Sequence, residues 1–370
     1  MRIGISARGL SIPSGGTHQF IRSLIPALQR RRGEDQLVVF YNRREFMGLA
    51  PLCTETFIKG ENRLWWDFAL LPGAIRKLKL DAVIFPKNVI PFFVKCRTFP
   101  VIHDLAYFEP QLRAYQFLDT MYMRTLIPQS VRRASAVFAV SESTKRDIVR
   151  HTRCHPEKIV VTYEAADDAY HRVDNALHLK EIQQKYGNLP EAFILYTGSL
   201  SPRKNIIRLL EAFGSICTKI PHELVLTGSK SWKDTDVHRK ISEPTLAGRV
   251  RQLGYVEPED MPALYTLASA YVYPSLYEGF GLPVLEAMQC GCPVVASNAT
   301  SIPEVAGEAA LLVDPSDTHA IANAIHRVLT DSSLRKTLVR LGFERAKMFS
   351  WDKCADTMLT TIRQLVNQVE

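Results

Sequence analysis

Two carboxylates, Glu278 and Glu286, stand eight positions apart in Tyr273-Pro-Ser-Leu-Tyr-Glu278-Gly-Phe-Gly-Leu-Pro-Val-Leu-Glu286, with glycines and a proline between them. The preceding apolar run Ala270-Tyr-Val-Tyr273 predicts a strand that delivers Glu278 into a glycine-rich loop. Pro283 suits the first turn of a helix, which puts Glu286 about one turn further in. Backbone N–H groups at such a helix start favour an anion, and the two acids favour hydroxyls. The segment therefore predicts a site for a phosphorylated, hydroxyl-rich ligand.

Three further segments have chemistry to offer. Ser199-Leu-Ser-Pro-Arg203-Lys204-Asn205 follows the apolar run Phe193-Ile-Leu-Tyr-Thr197 and precedes a helical pattern. Two adjacent cations at a helix N-terminus oppose the helix dipole, and an acidic ligand relieves that cost. Arg203 supplies a rigid donor fork and Lys204 a point charge, a pair suited to a diphosphate; a solvated turn is the plainer alternative. Gly15-Gly16 closes the first βα turn, which is not a G-x-G-x-x-G fingerprint but still lets backbone approach a phosphate or sugar closely. His103-Asp104 ends a predicted strand, where the histidine either faces a ligand or is held by a structural hydrogen bond to Asp104. Asp234-Thr-Asp236 spells a short two-acid pattern for a divalent cation, but its neighbours read as a polar loop and no metal is expected there. No H-E-x-x-H, Walker lysine or G-x-S-x-G pattern accompanies these segments.

The elements that must position them alternate short apolar runs with helical patterns, the grammar of parallel sheets covered by helices. Strands are expected at Arg2–Ser6, Leu37–Tyr41, Ala82–Phe85, Phe99–His103, Ala136–Val140 and Ile159–Thr162 in the first half. In the second half they are expected at residues 193–197, 224–227, 253–256, 270–273, 294–296 and 310–313. Helical faces are expected over 17–30, with Pro26 kinking or shortening the helix, and over 177–186, 206–216, 261–268, 283–289, 318–329 and 351–369. A length of 370 residues favours two domains. Domains are expected at 1–172 and 173–350, with a C-terminal helix at 351–370 that packs back on the first.

Composition narrows the class. With 46% apolar and 23% charged residues the chain is a globular one, and no run approaches a membrane span. The opening Met-Arg-Ile-Gly-Ile-Ser reads as a strand rather than a secretory leader. Seven scattered cysteines suit a reducing cytoplasm; Cys290-Gly-Cys292 reads as small residues closing a helix and opening a strand. The net charge of +8, concentrated in the first half, fits either peripheral contact with an anionic membrane or a solvated face. No nucleic-acid motif accompanies it, and oligomeric state is not legible.

With these residues in view, the chain resembles the retaining glycosyltransferases of the large bacterial family 4, over nearly its full length. The resemblance rests on the E-x7-E pattern from Glu278 to Glu286, followed by Ala287-Met-Gln-Cys-Gly-Cys-Pro-Val-Val-Ala-Ser297 and Ile302-Pro-Glu-Val-Ala-Gly307. Gly15-Gly16, Val101-Ile-His-Asp104, Val140-Ser-Glu-Ser143, Gly198–Asn205 and Gly254-Tyr-Val256 match as well. It implies an α/β GT-B fold: two Rossmann-like parallel-sheet domains facing across a cleft, the N-terminal one binding acceptor and the C-terminal one nucleotide sugar.

Carried onto this chain, the family pattern implies that Glu286 holds the donor's ribose and that Arg203 and Lys204 neutralise its diphosphate. Gly15 and Gly16 add backbone contacts, and backbone at Val256 meets the base. Glu278, with Gly279 and the N–H groups near Phe280, Gly281 and Leu282, orients the sugar. Ser199 completes the donor set, and His103 meets the sugar from the acceptor side. No prosthetic group or metal is expected. The similarity is strongest to bacterial polysaccharide mannosyltransferases using GDP-mannose, with a glycan or polyprenyl-linked oligosaccharide acceptor at the cytoplasmic face of the membrane. Transferases using UDP-glucose or UDP-N-acetylglucosamine, and a UDP-sugar 2-epimerase, are the alternatives.

Overall fold

The structure, a computed structural model, describes residues 1–11, 15–112, 115–228 and 235–368. Two compact units divide the chain. One joins Met1–Phe108 and Tyr115–Glu164 to the C-terminal segment from Ser350; the other is built on Ala165–Phe349.

The first unit is a seven-stranded parallel sheet of β1 (Arg2–Ser6), β2 (Gln36–Tyr41), β3 (Thr54–Phe57), β4 (Ala82–Phe85), β5 (Arg97–Ile102), β6 (Val137–Ala139) and β7 (Ile159–Val161). Its order is β3-β2-β1-β4-β5-β6-β7. The second unit holds β8 (Phe193–Thr197), β9 (Glu223–Thr227), β10 (Val250–Gly254), β11 (Ala270–Tyr273), β12 (Val294–Ser297) and β13 (Ala310–Val313), in the parallel order β10-β9-β8-β11-β12-β13. Each is a Rossmann-like parallel sheet, as the alternating grammar predicts. The central strands are largely apolar because helices cover both faces; Ile3, Ile5, Val83, Ile84, Ile194 and Leu195 are wholly buried.

The departures from the sequence reading have local causes. β3 was not predicted because Thr54-Glu-Thr-Phe57 has no apolar run; as an edge strand it takes its register from β2 alone. β5 stops at Ile102, so His103 lies just beyond the strand. The helix Phe117–Arg133 was also missed, since Phe117 and Leu118 stand exposed and blur the apolar period. The helix Gly16–Arg31 runs unbroken through Pro26. Burial of Ile21, Leu24, Ile25 and Leu28, at about 1.5–3 kcal/mol each, outweighs the roughly 3 kcal/mol that a mid-helix proline costs.

The C-terminal helix Trp351–Asn367 packs on Gly16–Arg31 inside the first unit, so that unit is assembled from both ends of the chain. Trp351 meets Phe20 edge-on at 5.4 Å, and Met358, Leu359 and Ile362 are wholly buried. Arg30–Asp352 (2.6 Å) and Arg31–Asp356 (2.7 Å) flank the seam in solvent. Exposed pairs contribute little, whereas truncating a buried methionine costs about 2–5 kcal/mol. Met358→Ala should therefore lower the denaturation free energy by that amount, and Asp352→Asn by under about 1 kcal/mol. Equal effects in chemical denaturation would contradict a seam held by apolar packing. Among the described residues no helix is long and apolar enough to cross a membrane.

Candidate active site

In the second unit the strand order reverses between β8 and β11, which are neighbours. Loops leaving the carboxyl ends of such strands diverge and open a crevice, the usual ligand position in an open α/β sheet. The loop after β8 carries Arg203 and Lys204, and the loop after β11 carries Glu278.

Local structure turns these side chains toward one another. Pro202–Lys204 is a single 3-10 turn closed by Asn205 in a left-handed conformation (φ 62°). Asn205 Nδ2 donates to the Pro274 and Pro315 carbonyls at 3.0 and 2.7 Å, and Leu276 N donates to Arg203 O at 2.8 Å, so the two loops are stitched together. Lys204 Nζ then donates to Glu278 Oε1 at 2.6 Å and to the Tyr273 hydroxyl at 2.5 Å. Arg203 Nη1 reaches Glu278 Oε2 and Tyr277 O, both at 3.1 Å. Burial would raise the Glu278 carboxyl, but Lys204 and then Arg203 outweigh it and hold it at about 2. The cluster is thus two cations gripping one carboxylate, with one net positive charge left for a ligand. Arg203 and Lys204, read from sequence as a diphosphate pair, are also the counter-ions of Glu278.

Beyond Glu278 the backbone turns sharply. Ser301 Oγ donates to the carbonyls of Glu278 and Phe280, at 3.0 and 2.8 Å, and the Thr300 hydroxyl accepts from Glu278 N at 3.0 Å. Gly281 (φ 111°) starts the helix Leu282–Gln289 without a side-chain cap, and a Cβ there would come within 2.5 Å of Ile302. Gly279, Phe280 and Leu282 surround this helix start. Glu286, one turn in, is buried; Tyr265 donates to its Oε2 at 3.0 Å and Tyr170 bonds it as well. Burial pushes its carboxyl up to about 7, against the lowering effect of the two phenols. Thr197 Oγ1 links the Tyr265 and Tyr271 hydroxyls at 3.1 and 3.0 Å, extending the polar network through the sheet.

The remaining expected residues are more dispersed. Ser199 Oγ donates to Ser201 Oγ at 3.2 Å, in the loop after β8. Val256 is buried two residues past β10, at the same carboxyl edge of the sheet. Gly15 (φ 124°) and Gly16 open the helix Gly16–Arg31 of the first unit, with open space where a side chain would stand. His103, also in the first unit, is held at both ring nitrogens: Nδ1 by Glu164 (3.3 Å) and Nε2 by the Pro86 carbonyl (3.1 Å). Burial lowers its pKa, but Glu164 and Pro86 prevail and raise it, favouring the imidazolium. The partner is Glu164 and not the adjacent Asp104, whose carboxylate instead accepts from Ala106 N at 3.1 Å. Asp234 lies outside the described residues, while Asp236 pairs with Arg239 at 3.0 Å. Among the described residues no group of three or more His, Cys, Asp or Glu is placed to hold a metal. Cys290 ends the helix and Cys292 precedes β12, both as free thiols.

Sequence reasoning missed the tyrosines. Tyr271 and Tyr273, two apart on β11, fall on one face by the strand's period, which was a usable signal. Tyr170 and Tyr265 come from distant segments and had none. Gly228 was missed too: a Cβ there would lie 2.2 Å from Gly198 O, so the loops after β8 and β9 touch backbone to backbone.

The chain matches the family described as Glycosyltransferase Family 4 at residues 14–170 and that described as Glycosyl transferases group 1 at residues 178–345. It is 38% identical over 273 residues to O-antigen chain mannosyltransferase B of Escherichia coli, covering 73% of this chain and 71% of that protein. It is 28% identical over 292 residues to the serotype-specific mannosyltransferase WbdA of Escherichia coli, spanning 35% of that longer chain. Among solved structures it resembles sucrose-phosphate synthase from Thermosynechococcus elongatus (TM-score 0.79, 22% identity, all of both chains). It also resembles Anabaena HepE in complex with UDP-glucose (TM-score 0.74, 19% identity, 100% and 99% covered).

Proposed function

Because the chain belongs to the GT-B glycosyltransferases of family 4, which act on nucleotide-sugar donors, we propose that it is a retaining, metal-independent mannosyltransferase. It moves mannose from GDP-mannose to a glycan or lipid-linked oligosaccharide in bacterial surface polysaccharide synthesis. The observation that carries the reading is the Arg203–Lys204–Glu278 cluster at the strand-order reversal, beside an uncapped helix start. The mannosyltransferase relatives support the sugar.

Cleaving a sugar–diphosphate bond builds negative charge on the leaving phosphate and positive charge on the anomeric carbon. Arg203, Lys204 and the N–H groups at Gly281 and Leu282 meet the first, doing the work a divalent ion does elsewhere. Glu278, fixed by both cations, orients the sugar with Gly279 and Phe280. Glu286 holds the ribose and backbone at Val256 the base, while Ser199 lines the phosphate path. A carboxylate held at about 2 by two cations is a weak nucleophile, which supports same-face attack assisted by the departing diphosphate rather than a covalent intermediate on Glu278.

A panel of radiolabelled GDP-mannose, UDP-glucose and UDP-N-acetylglucosamine with extracted lipid acceptors tests the reading. Transfer is expected from GDP-mannose, with activity unchanged by a chelator. Transfer from a UDP-sugar alone, acceptor-free conversion of the donor, or chelator loss rescued by a divalent ion would each overturn it.

A further inference from the structure

The amino edge of the second unit's sheet carries a charged recess separate from the candidate active site. Ser269 and Pro293 immediately precede β11 and β12, which run parallel, so this edge lies opposite the loops that hold Arg203, Lys204 and Glu278. A recess of about 560 Å³, open to solvent, lies there, within the usual size range for small-molecule sites. Arg172, Arg335, Lys336 and Arg340 line it, and among the described residues no carboxylate does.

Three of these cations belong to one helix, Ser332–Ala346. Arg335, Lys336, Val339, Arg340 and Phe343 share a face by helical spacing, and that face forms one wall. Arg172 has Asp174 at 3.7 Å, both in solvent. Arg335, Lys336 and Arg340 have neither an ion pair nor a side-chain hydrogen bond among the described residues. By contrast Arg345, on the same helix, donates to the Val305 carbonyl at 2.8 Å. Lys336 and Arg340 are moreover like charges four positions apart, which destabilises a helix. The same field reaches His222, just before β9. Its Nδ1 is buried without a hydrogen-bond partner, and burial, then Arg335 and Arg249, lower its pKa.

Apolar surface adjoins the charges. Pro293, Val339 and Phe343 line the recess, and Phe343 packs so closely on Gly291 (φ 74°) that a Cβ there would lie 2.8 Å from the ring. Three unbalanced cations call for an anion of several charges, and the apolar wall calls for carbon beside it. Inorganic phosphate answers neither need.

We propose that this recess is a second ligand site, for a small organic polyphosphate. Arg335, Lys336 and Arg340 hold its di- or triphosphate group, and its carbon portion lies on Pro293, Val339 and Phe343. The site stands at the opposite edge of the sheet from the sugar-transfer chemistry and does not rest on that reading. Titration calorimetry of the full chain with ATP, tripolyphosphate and orthophosphate tests it without turnover. ATP should bind saturably, at least about tenfold more tightly than orthophosphate and about fivefold more tightly than tripolyphosphate. Arg335→Gln combined with Arg340→Gln should remove one binding site per chain or weaken it at least about 100-fold, whereas Glu286→Gln should leave that site intact. Without ligand, the double variant should unfold at a denaturant concentration no lower than the wild type does, because like-charge repulsion is relieved. An isotherm unchanged in the double variant, or a site lost only in Glu286→Gln, would overturn the proposal. Equal affinity for orthophosphate would reduce the recess to a solvated basic face, and ATP binding no tighter than tripolyphosphate would remove the carbon portion from the apolar wall. A lower unfolding midpoint would mean that the arginines serve the fold and are not held open for a ligand.

Discussion

Replacing Arg203 and Lys204 together by alanine should abolish sugar transfer, with kcat/KM falling by about four orders of magnitude or more, since each donor aimed at developing charge contributes about 10²–10³. Each single variant should lose about two to three orders. The double variant should also lose stability. Glu278 is buried, and both cations are its partners. Removing them strands a carboxylate in the interior at about 3–5 kcal/mol. The sign follows from linkage. Glu278 is held at about 2, below its unfolded value of 4.5, so its stabilisation is present above pH 4.5 and disappears as pH falls through about 2. That difference corresponds to about 3 kcal/mol. Adding Glu278→Gln to the double variant should restore most of the stability and none of the transfer. Denaturant titration at pH 7 and single-turnover assays read the two separately. Recovery of transfer with the triple variant would remove the cations from the chemistry.

Glu286→Gln should weaken the nucleoside diphosphate about 10- to 100-fold, the usual range for hydrogen bonds to a charged group, and should abolish a pH dependence that the wild type shows. With its carboxyl at about 7, Glu286 passes from neutral to ionised between pH 6 and 8, and the ionised form accepts from ribose hydroxyls more strongly. Wild-type affinity should therefore rise across that window, while the glutamine variant stays flat. Stability moves the other way. The folded value lies above the unfolded 4.5, so the folded state holds the proton and loses stability as pH climbs from about 4.5 to about 7. The glutamine variant should accordingly be the more stable protein at pH 8. Calorimetric titration of nucleotide from pH 6 to 8 reads this directly; unchanged affinity would end the ribose role.

These two experiments rest on neighbours of very different visibility in the chain. The loop chemistry was legible because it is local: Pro283 after Gly281 announces a helix start, and Arg203-Lys204 after an apolar run announces cations at the end of a strand. The helix 206–216 was read to the residue, since its apolar period is unbroken. β3 and the helix 117–133 were not, because an edge strand needs no apolar face and an exposed apolar side chain mimics a buried one. His103 was read as the last residue of a strand and lies one position past it, and its partner Glu164 is 61 positions away, which no spacing rule could name.

By itself, then, the amino-acid order determined two parallel α/β sheets, the carboxyl-edge loops that carry Glu278, Glu286, Arg203 and Lys204, and a ligand rich in phosphate and hydroxyl. Only the tertiary structure decided what state those groups are in. Glu278 is ionised because Lys204 and Arg203 lie within 3.1 Å of it, and Glu286 sits near neutrality because burial outweighs the phenols of Tyr265 and Tyr170. Both outcomes turn on a few ångströms and on the removal of water. Those are set by packing between segments more than twenty positions apart, whereas side-chain period and turn chemistry act within a few.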